Sequence, residues 1–140
     1  MAYFLIAFFG LGSAFMTWKA VQLWRDAGQV DFFMATFTFL PFGKETKRGE
    51  VRSLGLTAAS LWGITALIFL GSTDVELAGA VLVLFAVALG TVLLCVVLEV
   101  AVVLFNAPRF VVPPHMRSDL GVIAARRARR TNRHQRSPGR

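Results

Sequence analysis

Side-chain chemistry needs groups that can meet, and this chain of 140 residues offers few. It has one cysteine, Cys95, and two histidines, His115 and His134, all distant from one another in sequence. A zinc centre takes about four nitrogen or sulfur ligands, so no metal site assembles from these residues alone, and a single thiol excludes an internal disulfide. Cys95 lies inside an apolar run and reads as a small hydrophobe. The pair Gly43-Lys44 is not a phosphate loop, because the first glycine of that motif is missing and Glu45 follows the lysine. No acid, base or nucleophile stands at a common depth with supporting residues, so neither an enzyme nor a bound cofactor is expected. Two ionisable side chains remain within or beside the apolar runs, Lys19 and Glu99. Counted from the outer ends of their runs they lie about 27 Å and about 33 Å along, at a similar depth near one membrane edge. A proton or ion relay needs stations at the midplane. Lys19 and Glu99 are therefore expected to snorkel to headgroup water or to neutralise each other, and Glu99 is the best single candidate for a role.

The elements that hold these residues follow from composition. Hydrophobic residues make up 56% of the chain and charged ones 16%, well outside the range of soluble domains. The apolar residues are gathered into long uncharged runs, which excludes a soluble enzyme fold and makes this an all-α integral membrane protein with three transmembrane helices. The first span covers 1–24 and is retained, since a cleaved signal would begin with basic residues and end at a small-residue site. A loop over 25–52 follows, then a second span over 53–73, a short link at 74–76, a third span over 77–105 and a basic tail over 106–140. The third span is longer than a membrane is thick, so part of it is expected to project into the cytoplasm.

Orientation is read from basic residues, which are retained on the cytoplasmic side. The loop from Arg25 to Arg52 holds five and the tail nine, while the 74–76 link holds none. The N-terminus is then outside and the C-terminus cytoplasmic, in the inner membrane of a bacterium, a source suggested by the abundance of Ala, Val, Leu and Arg. Trp18, Lys19, Trp24 and Arg25 form an aromatic and snorkelling belt at the inner edge.

Three further features carry expectations. Small residues at Gly10 and Ala14, at Gly55, Ala59 and Gly63, and at Ala86 and Gly90 form stripes through which helices can approach closely in lipid. The segment 32–42 is apolar and aromatic yet too short to cross. Its Phe32, Phe33, Phe37, Phe39 and Phe42 must enter the bilayer as an interfacial or re-entrant stretch, pack under the protein's own helices, or dock on a partner. The polar stretch 43–50 reads as a turn of mixed charge. In the tail, Arg126, Arg127, Arg129, Arg130 and Arg133 are expected to meet anionic lipids or an acidic partner. Nucleic acid is disfavoured, because no aromatic follows Phe110 and bases would have nothing to stack on. A short helix from Ser118-Asp119 to about Arg130 is expected, separated from the third span by Pro113-Pro114.

Together these features point to a non-catalytic accessory subunit of a larger multi-pass membrane complex, a transporter or respiratory-chain assembly, docking through its small-residue faces and its Phe-rich loop. The alternative is a holin-like permeabilising or channel-forming homo-oligomer, a likeness of topology only. Such a lesion needs polar span faces, and these spans offer little beyond Ser13, Thr57, Ser60 and Thr65.

Overall fold

The computed structural model describes residues 1–36, 38, 43–73 and 78–135, with Ala2, Arg133, His134 and Gln135 described by backbone alone. Every regular element among them is helical. In chain order these are α1 (Ala2–Arg25), α2 (Val30–Thr36), α3 (Lys44–Arg52), α4 (Leu54–Ser72), α5 (Gly79–Phe105) and α6 (Val122–Gln135), with short 3-10 turns at 27–29, 109–111 and 114–116. Helices α1, α4 and α5 are long and apolar enough to cross a membrane, with mean hydropathies of 1.5, 1.8 and 3.1.

The breaks between helices have local causes. Asp26 ends α1 in extended conformation, and its carboxylate accepts the Gly28 N–H at 2.8 Å, an Asx turn that starts the next segment. Helix α5 ends where Asn106 adopts the left-handed conformation (φ 56°), one of the few residue types that does so readily. The stretch expected as a mixed-charge turn, 43–50, instead forms most of α3, which is capped by Gly43, begins at Lys44 and runs almost directly into α4 with Ser53 between them. Its burial explains the difference: Thr46, Gly49, Val51 and Arg52 are buried while Lys44 and Arg48 stay exposed. Tertiary packing has overridden a polar local pattern.

The three long helices lie side by side in one layer. Helix α4 packs on α1 along one flank and on α5 along the other, and α1 and α5 barely touch. Burial agrees, at 28% of the most apolar stretch of α4 and 11% for each neighbour. Along the α1–α4 seam, the Ser13 and Thr65 hydroxyls lie 3.2 Å apart and the Trp62 indole donates to the Thr17 hydroxyl at 3.1 Å. Hydrogen bonds of this kind between helices in lipid contribute about 0.6 kcal/mol each and at most about 1.7.

The apolar core gathers at one end of the layer, the end that carries Lys19, Arg25 and the connecting segments. Leu23, Phe33, Val51, Leu54, Val102, Val112 and Met116 are buried there together. Helices α2, α3 and α6 and the segment 106–121 form a platform around the last turns of α5. Gly49 of α3 sits so near Val103 that a Cβ would lie 3.0 Å from its Cγ1. The Asn106 side-chain amide donates to the carbonyls of Arg117 (3.3 Å) and Asp119 (2.6 Å), folding 106–119 back under α5. That loop occupies Ser118 and Asp119, which is why the last helix begins at Val122 and not at Ser118.

Arg52 is the largest fully buried side chain. Its guanidinium donates to the Arg48 carbonyl at 3.2 Å and to the Leu120 carbonyl at 3.3 Å, and Arg48 in turn pairs with Asp119 at 2.7 Å. Burial pulls the Arg52 pKa below its ordinary value; nearby Asp119 opposes the shift and Arg48 adds to it. An arginine keeps its charge even so, so this cation is held inside by two carbonyls and a neighbouring carboxylate. Arg52→Ala is expected to destabilise the platform by about 2 kcal/mol, through lost packing and an orphaned Leu120 carbonyl. The readout is the thermal midpoint in mild detergent, and Arg52→Lys should recover less than half of the loss, since an ammonium lacks the fork that spans both carbonyls.

Candidate functional site

The polar and aromatic side chains singled out in the sequence fall into four places. The first is the pair Lys19 and Glu99, which the fold keeps apart. Lys19 donates to Gln22 on its own helix at 3.1 Å and rests 4.6 Å from the Trp18 ring centroid, a cation–π contact. Glu99 accepts a 2.8 Å hydrogen bond from the Thr57 hydroxyl of α4. Pairing was one expectation for these residues and it does not occur, because α4 stands between the helices that carry them. Thr57 is the partner that sequence reading missed; a threonine in an apolar helix gives no hint of which neighbour it will face.

The small residues are the second place. Gly10 faces Thr65, with 3.9 Å from its Cβ position to the threonine methyl, and Gly55 faces Trp24 at 4.0 Å from the indole nitrogen. Ala59 packs on the core. Gly63 makes the tightest approach: a Cβ there would lie 2.6 Å from Val92 Cγ2 and 3.4 Å from the Ala88 carbonyl. Ala14, Ala86 and Gly90 are turned outward. On α1 the neighbouring Ser13 takes the seam through its bond to Thr65. On α5 the face toward α4 is that of Ala88, Val92, Cys95 and Glu99, not the expected stripe of Ala86 and Gly90. Helix α5 is apolar on every side, so small residues alone did not mark its contact face.

The Phe-rich segment is the third. Phe33 is buried and Phe32 is 53% exposed, so adjacent rings have opposite environments, and they meet edge to face with centroids 5.9 Å apart. Phe33 thus packs under the protein's own helices. Phe37, Phe39 and Phe42 lie outside the described residues.

The fourth is the basic tail. Arg126, Arg127, Arg129 and Arg130 are exposed on α6, and the Arg129 guanidinium pairs with Glu45 of α3. The tail is therefore tethered to the platform along 106–130. The side chain of Arg133 lies outside the described residues.

Between α1 and α4, toward the basic end, lies an open groove of about 530 Å³. It is lined by the small residues Ala20, Gly55, Ala58 and Ala59, with Trp62 bonded to Thr17 at one end and Trp24 and the exposed Arg25 at the other, its mouth. Nothing in the sequence joined these residues, because they come from two helices separated by the whole 26–53 segment. Among the described residues no three His, Cys, Asp or Glu side chains come together as metal ligands would. Comparison with protein-family models, with curated proteins and with solved structures finds no match to this chain.

Proposed function

We propose that the chain is a non-catalytic accessory subunit of a larger membrane assembly, of the transporter or respiratory-chain kind, in a bacterial inner membrane. The observation that supports this most directly is the single-layer arrangement of α1, α4 and α5. A layer one helix thick encloses no interior in which a substrate could be held, and it presents two broad faces that a larger protein can lie against. The platform adds an aqueous-side surface with exposed Phe32 and the arginines of α6. On the distribution of basic residues this platform faces the cytoplasm and the N-terminus lies outside. A permeabilising homo-oligomer is the weaker reading, because the span hydroxyls available to line a lesion are engaged elsewhere. Ser13 and Thr65 meet in the α1–α4 seam, Thr57 binds Glu99, and Ser60 donates to the Thr57 carbonyl.

Affinity-tagged protein solubilised in mild detergent is expected to co-purify with a much larger complex. Phe32→Ser combined with Phe37→Ser and Phe39→Ser should release it while the chain remains folded. Phe33 is spared in this design, since a buried phenylalanine replaced by serine would damage the core itself. Recovery of the unsubstituted protein as a free small species would rule the subunit reading out.

A further inference from the structure

We propose that the groove between α1 and α4 seats one acyl chain of an anionic phospholipid, with the lipid phosphate held by Arg25. This goes beyond the subunit reading and does not depend on it, and it uses a site separate from the arginines of α6.

Three observations converge on this occupant. The first is shape. From Thr17, whose hydroxyl receives the Trp62 indole and closes one end, to Arg25 at the other, the groove follows eight residues of α1, about 12 Å. Between the two indoles the lining is small, with Ala20, Gly55, Ala58 and Ala59. The volume of about 530 Å³ is of the size that holds small ligands. A low apolar groove of this length accommodates a flexible hydrocarbon chain.

The second is charge. Arg25 is exposed at the mouth and, among the described residues, neither of the ion pairs present involves it. Arg48 and Arg129 are neutralised by Asp119 and Glu45, and Arg52 is buried. A free guanidinium at the end of an apolar channel fits a phosphate that carries an acyl chain, because the fork geometry suits phosphate oxygens.

The third is a spare donor. The Trp24 indole nitrogen makes no hydrogen bond among the described residues, and it faces Gly55 within the groove. An indole at the level of the headgroups normally finds a polar partner. An ester carbonyl of the same lipid would supply one beside the phosphate on Arg25.

The test uses the intrinsic fluorescence of the two groove tryptophans. The full chain carrying Trp18→Phe, which removes the one tryptophan outside the groove, is reconstituted in phosphatidylcholine vesicles. Phosphatidylglycerol or phosphatidylcholine with brominated acyl chains is then titrated in. Half-quenching is expected at a mole fraction of brominated phosphatidylglycerol about fivefold below that of brominated phosphatidylcholine. Arg25→Gln should abolish the difference, while Arg127→Gln, on the exposed face of α6, should preserve it. Equal half-quenching fractions for the two lipids would mean ordinary annular contact and overturn the proposal. So would a preference that Arg127→Gln removes as effectively as Arg25→Gln, which would make it a general surface attraction. Absence of quenching by either lipid would mean that protein covers the groove, and would overturn it too.

Discussion

Gly121→Ala is expected to detach the segment 106–121 from α5. A Cβ at this position would fall on the Leu104 carbonyl oxygen, and would stand 2.6 Å and 2.7 Å from the carbonyl carbon and Cα of Phe105. All three are backbone atoms of a helix, so no rotamer change relieves the clash and the whole segment must move. With it go the Leu120 carbonyl that receives Arg52 and the Asp119 carboxylate that receives Arg48. Overpacking alone costs about 1–3 kcal/mol, and the lost bonds of a buried cation bring the total to about 3 kcal/mol. The measurement is limited trypsin digestion at the Arg117–Ser118 bond. If cleavage follows the opened population, a loss of this size accelerates it roughly a hundredfold. Gly43→Ala is the control, since nothing lies within 4 Å of its Cβ position. Equal cleavage rates for the Gly121→Ala chain and the unsubstituted chain would show that the segment is not held against α5 in this way.

Gly63→Leu is expected to separate α4 from α5. The alanine variant already places its Cβ 2.6 Å from the Val92 methyl, and a β-branched side chain in a helix has little freedom to turn aside. Leucine forces the helices apart and takes the Thr57–Glu99 bond with it. Because lipid tails are as apolar as the side chains they replace, what is lost is close packing and hydrogen bonding, about 3 kcal/mol. For a chain of this length that corresponds to a fall of about 10 °C in the thermal midpoint, measured in mild detergent. Gly63→Ala should fall between. Gly90→Leu, at a position with open space around it, should change the midpoint by no more than about 2 °C. An equal response at Gly63 and Gly90 would mean that the α4–α5 contact is not the one described.

The contrast between these two glycines marks where sequence stops being informative. The three long helices are legible because each rests on a run of about twenty or more residues with almost no charge, and runs of that length have one physical solution in lipid. The long helices run over Ala2–Arg25, Leu54–Ser72 and Gly79–Phe105. Which face of a span meets its neighbour is another matter. Helix α5 is nearly uniform in hydropathy around its circumference, so Ala86 and Gly90 look as suitable as Ala88 and Val92, and only the position of α4 decides. Arg52 illustrates the same limit for charge. It stands at the end of Lys44-Glu45-Thr46-Lys47-Arg48-Gly49-Glu50, a stretch that any local reading places in water, and it is buried by a carbonyl 68 residues further on. Phe32 and Phe33 differ in fate for a similar reason, since aromatic density shows that rings must be covered but not by which neighbours. The groove escaped notice entirely, being a property of two helices together.

The long reach between Arg52 and Leu120 bears on the order in which the molecule is built. A chain leaving the ribosome delivers α1, α3 and α4 first, and α1 needs only α4 to complete its seam. Helix α5 then finds α4 already in place. Arg52 must wait, as Glu45 and Arg48 on the same helix wait for Arg129 and Asp119, because its second carbonyl arrives 68 residues after it. Until then burying the guanidinium would leave it with the Arg48 carbonyl alone, and a desolvated cation so poorly compensated is costly, so Arg52 is expected to stay hydrated until Leu120 docks. The same side chain thus turns from a hydrated surface charge into an internal strut, and the change is completed only when the 106–121 segment brings Leu120 to it.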